Sequence, residues 1–101
     1  MKAARPGAAD NSFTGNSIQN STDDGFDISG DNNTVSGNIM SNNAGAGIYS
    51  KSSANDNNYN GNTVSTNVNQ GIAIFGPNNK ISDNRIKDSG SAANNNGIYL
   101  S

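Results

Sequence analysis

The chain has 101 residues, 31% of them hydrophobic, with a net charge of -2 and a mean hydropathy of -0.72. Disordered chains of that polarity ordinarily carry high net charge and many Pro and Glu, whereas this one has two Pro and draws its polarity from Asn, Ser and Gly, the residues that many short strands need at their turns. With no Cys and no His, a disulfide framework, thiolate metal sites and His-based catalysis are excluded, and six basic against eight acidic residues give no cationic field for a nucleic-acid partner.

In chain order, the segment MKAARPGAAD (1–10) has no apolar core of the signal-peptide kind, and it reads as a poorly structured leader. No later stretch approaches the length of a membrane span, so no membrane partner is expected. From Asn11 an eight-residue pattern, N-x-Φ-x-x-N-x-Φ (Φ apolar), occurs four times: NSFTGNSI, NTVSGNIM from Asn33, NNYNGNTV from Asn57 and NKISDNRI from Asn79. Behind each follows a run opened by Gly: GFDI at Gly25, GIYS at Gly47, GIAI at Gly71 and, later than its place in the repeat, GIYL at Gly97. Equivalent apolar positions lie 22, 24 and 22 residues apart (Phe13, Val35, Tyr59, Ile81). Two insertions, KSSANDN after Ser50 and GSAANNN before Gly97, read as surface loops that leave the strands in place. Apolar spacings of two and five, in place of three and four, predict no helix.

A unit of about 22 residues with short apolar pairs cannot bury its own face. Successive units must stack, each strand bonding in parallel to its counterpart one coil along. The predicted fold is an all-β solenoid of about four coils over residues 11–101, and the six-residue period of left-handed solenoids is absent. Strand alternation predicts four interior stacks: Phe13, Val35, Tyr59, Ile81; Ile18, Met40, Val64, Ile86; Phe26, Ile48, Ile72, Ile98; and Ile28, Ser50, Ile74, Leu100, with Ser50 the polar exception. Two further columns, Asn16, Asn38, Asn62, Asn84 and Asn11, Asn33, Asn57, Asn79, predict asparagine ladders at two corners, where an amide tolerates left-handed angles and bonds the next Asn.

The repeat resembles that of the pectin-lyase-like superfamily of right-handed parallel β-helices, from Asn11 to Leu100. The resemblance implies fold strongly and chemistry weakly, because the superfamily holds lyases, hydrolases and epimerases of acidic polysaccharides beside surface proteins without catalysis. Asn20 to Ser29, NSTDDGFDIS, is similar to a polygalacturonase segment, and Arg85-Ile86-Lys87 to another. Carried over, Asp23 or Asp24 would be one catalytic carboxylate. The companion aspartates are replaced by Ala44, Gly45 and Ala46, and the family's His has no counterpart, so the constellation is incomplete.

Outward positions of the Gly-led strands are Asp27, Tyr49, Ala73 and Tyr99, with Asp24, Gln70 and Asn96 just before a Gly and Lys51 beside Tyr49. Asp24, Asp27, Tyr49, Lys51, Gln70, Asn96 and Tyr99 are the candidate substrate-binding residues, an aromatic and polar strip suited to stacking a sugar ring. Asp23, Asp24, Asp27 and Asp31 cluster in sequence but spread along an extended segment, which leaves at most a weak calcium site and no other cofactor. The expectation is a structural or carbohydrate-binding segment of a polysaccharide-associated, extracellular or cell-surface parent. The alternative is a fragment of a polysaccharide lyase, epimerase or hydrolase. Bare strand edges at the two ends further predict either more coils in a longer chain or association end to end.

Overall fold

The computed structural model describes residues 10–87 and 97–100; the leader before Asp10, residues 88–96 with the whole second insertion including Asn96, and Ser101 lie outside the described residues. Twelve strands of three residues follow one another: β1 (Ser12–Thr14), β2 (Ser17–Gln19), β3 (Phe26–Ile28), β4 (Thr34–Ser36), β5 (Ile39–Ser41), β6 (Ile48–Ser50), β7 (Asn58–Asn60), β8 (Thr63–Ser65), β9 (Ile72–Ile74), β10 (Lys80–Ser82), β11 (Arg85–Lys87) and β12 (Ile98–Leu100). They form three four-stranded sheets, ordered β1-β4-β7-β10, β2-β5-β8-β11 and β3-β6-β9-β12. Every pairing is parallel and in the register expected from the repeat: Phe13 with Val35, Ile18 with Met40, Phe26 with Ile48. The chain is therefore a parallel β-solenoid of four coils without helix among the described residues.

Three-residue strands are short because a corner interrupts each run, and the corners share one construction. A residue with positive φ comes first: Asp10, Asn32, Asp56 and Asn78 at one corner, Gly15, Gly37, Gly61 and Asp83 at the second, Asn20, Asn42 and Thr66 at the third. These are mostly the residue types that reach left-handed backbone at low cost. The next residue is the ladder residue, so the left-handed angle falls one position before the ladder asparagine and not on it. Asn16 N–H and Nδ2 donate to Asn38 Oδ1 at 2.9 and 3.1 Å, and Asn38 N–H and Nδ2 donate to Asn62 Oδ1 at 3.0 and 3.1 Å. Each amide nitrogen also reaches back one coil: Asn38 to Phe13 O, Asn62 to Val35 O and Asn84 to Tyr59 O, all at 2.8 Å. The first corner repeats the main-chain part of this, with Asn33 N–H on Asn57 Oδ1 and Asn57 N–H on Asn79 Oδ1. The third corner carries a ladder the sequence reading passed over: Ser21 N–H donates to Asn43 Oδ1 and Asn43 N–H and Nδ2 to Asn67 Oδ1.

The core runs up the axis as Ile18, Phe26, Ile28, Val35, Met40, Ile48, Tyr59, Val64, Ile72 and Ile74, joined by Ala54. Ala54 comes from the first insertion, which is thus not wholly a surface loop: it folds through an Ala54 N–H to Lys51 O bond of 2.9 Å and returns an apolar side chain to the interior. Ser50 is tolerated among apolar neighbours because Tyr59 Oη donates to its Oγ at 2.8 Å. Burial pushes the Tyr59 phenol up to about 12, the Ser50 bond opposing it. Two expected interior residues are corrected by the structure. Ile98 and Leu100 keep the register of their columns, opposite Ile72 and Ile74, but are 46% and 66% exposed.

Candidate functional site

The third sheet carries the Gly-led strands, and close approach requires the glycine at Gly25 and at Gly47. A Cβ on Gly25 would meet the Gly47 carbonyl oxygen at 2.5 Å and Met40 Cγ at 2.8 Å, well inside van der Waals contact. This lets the chain turn sharply into β3 and β6, and the strand residues of the sheet stand in columns. The outward column is Asp27, Tyr49, Ala73, Tyr99.

Within that column the chemistry divides. Tyr49 and Tyr99 lie two coils apart, and the small Ala73 between them leaves a gap. Phe75, one residue past β9, fills it: its ring centroid is 5.2 Å from Tyr49 and 5.4 Å from Tyr99, tilted 40° and 41° to them. The result is a continuous aromatic ridge across three coils with Ala73 completely buried beneath it. Phe75 N–H bonds Ser50 O as Lys51 N–H bonds Ile28 O, so Phe75 and Lys51 hold the same place in successive coils. Sequence reading missed Phe75 because it falls outside the G-Φ-x-Φ frame. The signal was a small residue in an aromatic column with a ring two positions on.

At the foot of the ridge Lys51 Nζ lies 3.6 Å from Asp27 Oδ1, with the lysine side chain 49% and the aspartate 10% exposed. Asp27 is buried, a correction to its expected place on an open polar strip, and its Oδ1 accepts no hydrogen bond. Asp24 is committed elsewhere: its Oδ1 accepts the Ala46 N–H at 2.7 Å. Gln70 gives its carbonyl oxygen to Gly47 N–H at 3.1 Å, beside the same turn. Asn96 lies outside the described residues. The structure thus brings Tyr49, Phe75, Tyr99, Lys51 and Asp27 together and leaves Asp24 and Gln70 at the turn entering the sheet.

The remaining acidic residues do not converge. Asp31 Oδ1 accepts Asn55 N–H at 2.8 Å, Asp23 is exposed, and no group of three or more carboxylates close enough to hold a metal ion occurs among the described residues. Arg85 and Lys87 are on β11, in the second sheet and the last coil, whereas Asp23 and Asp24 precede β3 in the first coil. The segments that resemble polygalacturonase are therefore not assembled into one site.

Stacked parallel coils, corner ladders and an outward aromatic column define a β-helix whose long face is a repeating surface. The family described as "Right handed beta helix region" matches residues 4–101, and the chain belongs to it. No curated protein and no solved structure matches the chain.

Proposed function

We propose that this β-helix is a carbohydrate-binding segment of a polysaccharide-associated protein, one that works outside the cell or at its surface. The observation that supports the reading is the ridge of Tyr49, Phe75 and Tyr99, with ring centres 5.2 and 5.4 Å apart. Aromatic faces take the C–H faces of sugar rings, and hydroxyls at the rim bond polar side chains. The half-exposed Lys51 adds one cation at the foot of the ridge, which favours glycans with carboxylate or sulfate groups.

A glycan array followed by calorimetry on the chain tests this. Binding to an acidic glycan is expected, weakened about tenfold or more by Phe75→Ala or Tyr49→Ala, each losing stacking of about 1 kcal/mol or more, and weakened less by Lys51→Gln. Affinity unchanged in both aromatic variants would overturn the reading. The alternative, a fragment of a lyase, epimerase or hydrolase, has less support, because the Asp24 carboxylate is engaged with Ala46 N–H. No release of reducing or unsaturated ends from pectate or alginate is expected.

A further inference from the structure

An asparagine followed by glycine is poised to lose its side-chain amide, because no side chain on the second residue hinders attack by that residue's backbone nitrogen. Among the described residues Asn60, ahead of Gly61, meets this condition, and every other described asparagine precedes a residue with a side chain. Asn96 and Gly97 repeat the pair, with Asn96 outside the described residues. Asn60 ends β7 on the outer face of the first sheet, half-buried between Ser36 of coil two and Ser82 of coil four. Gly61 turns the corner at φ 66° and is exposed. A Cβ placed on it would meet nothing nearer than Gly37 N at 3.9 Å, so the corner is open to solvent.

Two bonds hold the reacting groups. Gly61 N–H donates to Ser82 O at 3.1 Å, and Ser82 Oγ donates to Asn60 Oδ1 at 3.4 Å. Both come from one residue of coil four. The chemistry needs what they prevent. Gly61 N must lose its proton and attack Asn60 Cγ, closing a five-membered succinimide while the side-chain nitrogen leaves as ammonia. Water then opens the ring at one carbonyl or the other, giving aspartate or isoaspartate. A hydrogen bond to a carbonyl stabilises the N–H over its deprotonated form. Strand backbone, with ψ of about +115°, must also rotate about the Asn60 Cα–C bond before the nitrogen reaches Cγ.

We propose that Asn60 is a site of spontaneous deamidation guarded by coil four: it is protected while Ser82 is in place and reacts when β10 parts from β7. Isoaspartate adds one carbon to the main chain two residues before Asn62. That residue gives its N–H and Nδ2 to Asn84 Oδ1 and its Nδ2 also to Val35 O. The extra atom takes the ladder amide out of step with both neighbouring coils, so the pairing that opened does not re-form as it was. A transient separation of two coils is thereby fixed as a covalent change. The inference concerns the first sheet and is independent of the glycan reading, which concerns the third.

Incubation of the 101-residue chain at mildly alkaline pH, followed by peptide mapping with mass spectrometry, tests it, isoaspartate being told from aspartate by electron-transfer fragmentation. In denaturing urea Asn60 is expected to convert ahead of every other described asparagine, and in the native chain about tenfold or more slower. Below the unfolding transition its rate should rise with urea along a slope smaller than that of global unfolding, since parting one pair of strands exposes less surface. That readout needs no variant. Ile81 and Phe13 are partly buried members of one interior column, in coils four and one, and make a matched pair, with circular dichroism confirming the fold of each variant. Ile81→Ala, which loosens β10 on β7, should speed conversion of Asn60 about tenfold or more, and Phe13→Ala by about twofold or less. Equal rates in native and unfolded chains, another described asparagine converting first in urea, a urea slope equal to that of global unfolding, or equal acceleration by the two variants would each overturn the inference.

Discussion

At the scale of single residues, the buried Tyr59–Ser50 pair shows how one polar substitution in an apolar column is matched by another. Ser50→Ala removes the acceptor and strands a buried phenolic hydroxyl, at about 1 to 3 kcal/mol. Tyr59→Phe with Ser50→Ala should recover most of that loss, because no polar group is then left without a partner. Denaturant midpoints of the two single variants and the double variant give the coupling, and additive effects would remove the pair from the account. The pH dependence has a definite sign. The Tyr59 phenol is raised from 10.0 to about 12 by burial, so the unfolded chain loses this proton first as pH rises. Stability from this group is fully present below about pH 10 and is lost as pH climbs through about 12. In Y49F/Y99F, where Tyr59 is the remaining tyrosine of three, tyrosinate absorbance should rise with a midpoint near the upper value. A midpoint near 10 would mean that the hydroxyl is solvated.

At the scale of elements, what the repeat discloses and what it hides follow from physical causes. The strand columns were legible because burial on one face imposes period two on each strand and one register on all coils. The Asn16 and Asn11 ladders were legible because the same residue type recurs in every coil. The third ladder was not, since its first member is Ser21 and its next is the second of a pair, Asn42 and Asn43. The five-residue step from Asn11 to Asn16 to Ser21 was the signal. Asp27 was misread as open because alternation assigns only the direction of a side chain, not what covers it. Ladder positions should be costly to change. Asn62→Ala leaves the Asn38 N–H and the Val35 carbonyl without their partners, so a loss of at least about 2 kcal/mol is expected, against about 0.5 kcal/mol or less for the exposed neighbour Thr63→Ala. Thr66 is the reverse case. It is β-branched at φ 54° in a column otherwise occupied, among the described residues, by Asn, an arrangement that strains the backbone. It keeps one exposed bond, from its Oγ1 to Asn42 Oδ1 at 2.7 Å. Thr66→Asn should relieve the strain and raise stability by about 1 kcal/mol, seen as a higher Tm. A lower Tm would show that the hydroxyl bond outweighs the backbone term.

At the scale of the whole molecule, a solenoid has no central core that every element touches, and its stability is a sum over coils and the interfaces between neighbours. An end coil has one interface where a middle coil has two, so opening should begin at an end. The two ends are unequal here. Coil one is closed inside: Ile18 is 5% exposed and Phe26 and Ile28 are fully buried, with the Phe13 and Phe26 rings meeting edge to face at 5.9 Å. Coil four keeps Ile98 46% and Leu100 66% exposed on β12. Opening the β12–β9 pairing therefore uncovers less apolar surface than opening β3–β6, where both inward residues of β3 are sealed, and the free energy of opening scales with that area. Amide exchange followed by NMR on the dilute, monomeric chain should accordingly show protection highest in β6 and β9, intermediate in β3 and lowest in β12. Ile98 and Leu100 should exchange by a local opening with little dependence on denaturant, while Ile48 and Ile72 exchange only through global unfolding. Uniform protection across all four coils would mean that the stack opens as one cooperative unit, and the sum over coils would be the wrong description of its energy.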